Sequence, residues 1–223
     1  MALTTTPHPQ PLASPSPSAL SVQEPSGQSP NQSTFDFAPE ELRGRLVKTV
    51  TLQDLSGEFQ DRPDFYNPLM ILITLIGALT IFSNIAGYLN AEANHPYTFE
   101  FMAFFRAISL MFVLGFIFPI IVWIFLSVVG MERTVQSFVV IVAVYNYAML
   151  FYVMAAVLAV VPINIVKWIA FGIACAGACK FLFANYASFF SKINIEHKKP
   201  AIIMVVVLEV CTALILKGSF FSA

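Results

Sequence analysis

"DRPDFYNPLMILITLIGALTIFSNIAGYL", residues 61–89, passes within a few positions from alternating charge into a run with none. From Pro68 to Leu89 it supplies the roughly 20 apolar residues that a helix needs to cross the hydrocarbon core of a bilayer. Four more runs of this kind follow, at about 107–129, 138–161, 168–190 and 201–220, and together they predict five transmembrane helices. Pro119 falls inside the second and predicts a kink, while Pro162 closes the third. The fold class read from this pattern is an all-α integral membrane protein, a five-helix transmembrane bundle.

Composition agrees. Of 223 residues, 57% are hydrophobic and 11% charged, well outside the range of soluble domains. A net charge of -1 with no concentrated basic patch sets aside a nucleic-acid partner. Cys175, Cys179 and Cys211 all lie in apolar runs and read as small hydrophobes, so no disulfide framework is expected. The first apolar run begins too late for a signal peptide, and Ala2 and the C-terminal "GSFFSA" carry no lipidation motif. The helices are expected to be the anchor.

Three regions result. Residues 1–34, rich in Pro, Ser, Thr and Gln, read as a disordered cytosolic tail. Residues 35–66 read as a cytosolic segment with a short basic amphipathic helix. Pro39 suits its first turn, Glu40 and Glu41 suit its N-terminal dipole, and Leu42, Leu46 and Val50 make an apolar stripe beside Arg43, Arg45 and Lys48. Residues 67–223 hold the five spans. With the N-terminus in the cytosol, cytosolic flanks gather Arg62, Arg133, Lys192, Lys198 and Lys199, against Arg106, Lys167 and Lys217 on the other side, so the positive-inside rule favours a cytosolic N-terminus and a lumenal C-terminus. The sequon at Asn31 should then stay unmodified.

Soluble-enzyme signatures are missing: His8, His95 and His197 are scattered, and no hydrolase, zinc-protease or phosphate-loop pattern occurs. No catalytic residue, metal site or cofactor is expected. Two ionisable residues lie within spans, Lys180 and Glu209, and either is costly alone in lipid. Counted from the cytosolic ends their depths differ by only roughly 3 Å, and Asn146 sits at a similar level. The expectation is one buried polar cluster, Asn146, Lys180 and Glu209, tying the third to fifth helices together; the functional alternative is a proton or solute path. On the fourth helix Ala170, Ala174 and Ala178, and Gly172 with Ala176, recur every four residues, a pattern of small residues for close helix packing within the bundle or between chains.

These stretches resemble a known family. Asp64-Phe65-Tyr66-Asn67-Pro68 is similar to the Asp-Leu-Tyr-Gly-Pro motif that leads into the first helix of the Yip-domain (YIPF, Ypt/Rab-interacting) proteins. "VYNYAMLFYVMAAVLAVVP", residues 144–162, is similar to the family's Tyr-Gly-Tyr-Ser-Leu segment. Both family glycines are asparagine here, Asn67 and Asn146, and the serine is Ala148. Asn67 is expected to keep a tight turn, because asparagine tolerates left-handed backbone. The resemblance implies a Golgi and early secretory membrane protein in vesicle transport that cycles with the endoplasmic reticulum or endosomes. It implies an adaptor for prenylated Rab GTPases that associates with related Yip-domain proteins as homo- or hetero-oligomer, with the Asp64–Pro68 stretch presenting the partner surface. The rival readings are a small-solute or proton transporter or channel, and a lipid-organising protein that shapes membranes.

Overall fold

In the computed structural model the residues described are 39–61, 66–91, 98–131, 133–193 and 195–221; the tail expected over 1–34, the sequon at Asn31, and Arg62, Asp64, Phe65 and His95 lie outside them. Among the described residues seven helices follow in order. Two are short, α1 (Pro39–Val50) and α2 (Ser56–Asp61). Five are long and apolar enough to cross a membrane: α3 (Tyr66–Asn90), α4 (Met102–Val128), α5 (Val135–Leu158), α6 (Asn164–Lys192) and α7 (Ile195–Phe220). The described residues contain no strand. Each span matches one expected run, and the chain is a multi-pass membrane protein. α7 starts earlier than expected, at Ile195, and carries Pro200 inside its second turn.

α5 is the axis. Every residue from Val140 to Met149 is buried, so this helix is enclosed on all sides. α3 packs against α4 and α5, and α6 lies between α5 and α7. The outer faces of the other spans carry exposed Ile73, Ile81, Phe112, Ile124, Ile173 and Val207, side chains that a bilayer can solvate. Thr134 caps α5, its side-chain oxygen accepting from the Ser137 N–H at 3.1 Å, which satisfies one of the donors a helix start leaves open.

The expected kink in α4 takes a defined form. A π-helical turn spans Val113–Ile117, and the Phe118 N–H bonds to the Val113 carbonyl five residues back. Pro119 has no N–H to offer the carbonyl four residues earlier, which is that of Gly115. The side chain of Asn146 on α5 supplies the donor instead, Nδ2 to Gly115 O at 2.9 Å. Gly115 permits this approach: a Cβ there would lie 2.8 Å from Asn146 Oδ1 and 2.8 Å from Leu72 Cδ1.

α1 forms as expected, with Glu40 and Glu41 in its first turn, but its inner face differs. Arg45 and Thr49 are buried and Leu46 packs on the core, whereas Val47 and Val50 are exposed, so of the expected stripe Leu46 faces the protein and Val50 does not. The helix ends on Leu52, whose φ is 58°; Gln53 N–H bonds to Lys48 O at 2.9 Å and Leu52 N–H to Thr49 O at 3.0 Å. This is a left-handed helix stop usually held by glycine, here anchored by packing of the Leu52 side chain on the core.

Gly115→Ala is expected to destabilise the purified protein by about 1–3 kcal/mol through overpacking against Asn146 and Leu72. Gly172→Ala, where an added Cβ meets open space, is expected to leave stability unchanged or slightly raised. Thermal unfolding of both variants in nanodiscs checks the contrast.

Candidate functional site

The first cluster lies where α1 and α2 pack on α5 and α6. Asn67, near the start of α3, donates from Nδ2 to the Tyr147 hydroxyl at 2.7 Å across 80 residues of sequence. The Tyr147 ring meets Phe59 of α2, ring centroids 5.0 Å apart, and Arg45 of α1 lies 5.7 Å above Phe59, within cation–π range. Arg45 also pairs with Glu41 at 3.2 Å and Glu58 at 3.9 Å, and Lys48 bonds to Glu58. Between α1 and α2 the Leu55 N–H donates to Asn185 Oδ1 of α6 at 2.9 Å. α1 and α2 are thus fastened to α5 and α6. Of the expected partner-binding stretch, Asp64 and Phe65 lie outside the described residues, Tyr66 is exposed, and Asn67 and Pro68 are buried. Asn67 does not make the left-handed turn expected of it: among the described residues only Leu52 and Gly130 have positive φ. Asn67 is helical, and its side chain serves as a tie to α5.

The second cluster lies deeper, along one stretch of α5. Tyr145 faces Thr212 of α7, oxygen to oxygen 3.4 Å. Asn146 turns to α4 as described, and its Nδ2 also reaches Val142 O of its own helix at 2.8 Å. Tyr152 donates to Glu209 Oε2 at 2.8 Å and lies 3.2 Å from the Glu209 carbonyl oxygen. Between them the helix tightens at Met149, with three-residue bonds Met149 N–H to Asn146 O and Tyr152 N–H to Met149 O.

The cluster expected from depth is therefore not assembled. Glu209 is fully buried and held by Tyr152, Asn146 serves Gly115, and Lys180 is on the exposed outside of α6. The reason is angular. Depth fixes height along a helix, but two residues turn the side chain by about 200°, so with Ala178 buried in the bundle Lys180 faces away from it. Its long stem can lie along the apolar exterior while the ammonium seeks polar surroundings. The same rotation divides the small-residue set: Ala170, Ala174 and Ala178 are buried, and Gly172 and Ala176 are exposed. Gly177, absent from the expected set, makes a closer approach; a Cβ there would lie 2.9 Å from Phe151.

A third polar group closes the opposite end. Asn84 Oδ1 accepts from the Glu100 N–H at 2.7 Å, and Arg106 bridges Glu100 Oε1 at 2.7 Å and Ser219 O at 2.8 Å, a cation at the carbonyl end of α7. Lys167 and Lys217 are buried nearby, and Lys217 Nζ lies 4.4 Å from the Trp168 ring centroid. In sequence Arg106, Lys167 and Lys217 registered only as charges that set orientation; their convergence needs the ends of several spans brought side by side.

No family model and no solved structure matches the chain. One curated relative, the Protein YIPF1 homolog of Dictyostelium discoideum, is 24% identical over 193 residues, covering 84% of this chain and 54% of the relative. The chain is similar to that YIPF1 homolog over most of its own length. It spans about half the length of the curated relative it matches. Asn67 and Asn146, one from each stretch that carries the resemblance, each bond to another span: Asn67 to Tyr147 and Asn146 to Gly115.

Tyr152→Phe removes the hydroxyl that serves the buried Glu209 carboxyl, a loss of about 1–3 kcal/mol. Lys180→Met is expected to leave the unfolding midpoint unchanged. Equal losses in both variants, measured by thermal unfolding in nanodiscs, would restore the pairing of Lys180 with Glu209.

Proposed function

We propose that this chain acts in vesicle-mediated transport at Golgi and early secretory membranes, as an adaptor that engages prenylated Rab GTPases and other Yip-domain proteins through the Asp64–Pro68 stretch, with a cytosolic N-terminus. One contact carries the reading: the Asn67 side chain on the Tyr147 hydroxyl, 2.7 Å. It joins residues from the two stretches on which the family likeness rests, and it ties the first turn of α3 to the axis of the bundle. Tyr66, the residue before it, is 39% exposed, an aromatic body with a polar tip suited to the membrane interface and to a partner docking there. α1 and α2 reinforce the arrangement through Phe59 and Leu55, so the exposed tyrosine is presented from a rigid base, which lowers the ordering cost of binding. The transport reading gains nothing from Lys180 and Glu209, which face different surroundings.

The test is binding of the nanodisc-reconstituted chain to a panel of prenylated and unprenylated Rab GTPases, with Tyr66→Ala beside the unmodified protein. The expected result is selective binding that the substitution weakens at least tenfold while the unfolding midpoint stays put. Absence of binding across the panel would remove the adaptor role and leave the architecture intact.

A further inference from the structure

Lys180 stands in the middle of α6 and on its outside, exposed on the face away from the bundle. At 1.5 Å per residue it lies about 20 Å from the level of Lys167 and about 18 Å from that of Lys192, the other two lysines of the helix. Long basic side chains near the end of a span reach the interface, but this one starts far from either end. A helical side chain covers the turn N-terminal to its own Cα, here Ala176 and Gly177, so the stem sets out towards the more distant of the two charges. Among the described residues no side chain pairs with its ammonium. On a helix surface the neighbours of a residue are those three and four positions away. For Lys180 they are Ala176, Gly177, Phe183 and Ala184, so three of the four are small, and Ala187, one turn further on, is exposed. On α4, by contrast, the outer face carries exposed Phe112 and Ile124, the bulk expected against lipid.

A cation in hydrocarbon calls for an anion at its own depth, and this chain has none to offer there. The acidic residues of the five spans are Glu196 and Glu209. Glu196 lies in the first turn of α7, beyond the level of Lys192. Glu209 is fully buried, with Oε2 engaged by Tyr152. A second copy of the chain would therefore bring no exposed acid to Lys180, only another lysine at the same level. A carboxylate on the helix of a different protein answers both features. Opposite charges attract strongly where neither is hydrated, and small neighbours let a second helix backbone come close. We propose that the outer face of α6 around Lys180 is a docking surface for a transmembrane helix of another protein that carries an aspartate or glutamate near its middle. This surface is separate from the Asp64–Pro68 stretch and does not rest on the GTPase reading.

The experiment uses the full chain in phosphatidylcholine liposomes at low protein density. Its probes are synthetic transmembrane peptides, leucine- and alanine-rich helices with aspartate, leucine or lysine at the central position. Association is read as energy transfer from a donor dye on the chain to an acceptor on the peptide. The expected result is association with the aspartate peptide at least tenfold tighter than with the leucine peptide. Lys180→Met should bring the aspartate peptide down to the leucine level, and Lys180→Glu should reverse the preference in favour of the lysine peptide, a change that damage to the fold would not produce. On the unsubstituted chain, a photoreactive group beside the aspartate is crosslinked and mapped by peptide mass spectrometry, and adducts within 172–187 support the surface. Equal affinity for the aspartate and leucine peptides, a preference that survives Lys180→Met, or adducts confined to other segments would overturn it. Two further results would also overturn it: energy transfer between labelled copies of the chain that Lys180→Met abolishes, which assigns the face to self-association, and loss of the aspartate preference on adding phosphatidic acid, which assigns Lys180 to lipid headgroups.

Discussion

Pro119 has no N–H for the Gly115 carbonyl four residues earlier, and within the bilayer the side chain of Asn146 supplies that carbonyl with a hydrogen bond. Backbone polar groups in hydrocarbon must be satisfied inside the protein, so a proline in a span needs a neighbour that can donate. Here the neighbour is one residue of the buried axis, and its approach is close enough to require glycine at position 115. The π-helical turn of α4, the absence of a side chain at Gly115 and the amide at Asn146 are parts of one arrangement. It fixes the height and rotation of α5 against α4.

The remaining interactions follow from that placement. Once Asn146 faces α4, its neighbour Tyr145 faces α7 and Tyr147 faces α2 and α3, because successive residues are turned by about 100°. Three consecutive side chains of α5 therefore address separate sets of neighbours, and Tyr152, past the tight turn at Met149, reaches α7 again at Glu209. The segment that the family likeness picks out is thus the point at which the bundle is fastened together. Through Tyr147 the fastening extends to Phe59 and Arg45, so the placement of α1 and α2 depends on the same helix.

Much of this could be read from the chain alone. Five spans and the distortion at Pro119 follow from length, composition and the chemistry of proline. The helical start at Pro39 follows from its charges. What could not be read was rotation: Lys180 and Glu209 match in depth, yet depth carries no angular information. A signal of rotation was in the sequence, since Ala170, Ala174 and Ala178 define a small-residue face and Lys180 stands about 120° from its centre at Ala174. Asn146 showed itself as a polar residue in a span, but its true partner is a backbone carbonyl, and no side-chain pattern marks one. The buried Lys167 and Lys217 were equally hidden, because each reads as an ordinary charge at the edge of a run until the ends of four helices meet.

The central claim is that the Asn146 amide stands in for the N–H that Pro119 lacks. The most direct test is a double-mutant cycle with Asn146→Ala and Pro119→Ala, read as unfolding free energy in nanodiscs. Alanine at 119 restores a backbone donor to α4, so the loss caused by Asn146→Ala should shrink by about 1 kcal/mol or more in the Pro119→Ala background. Losses that simply add in the double variant would contradict the account.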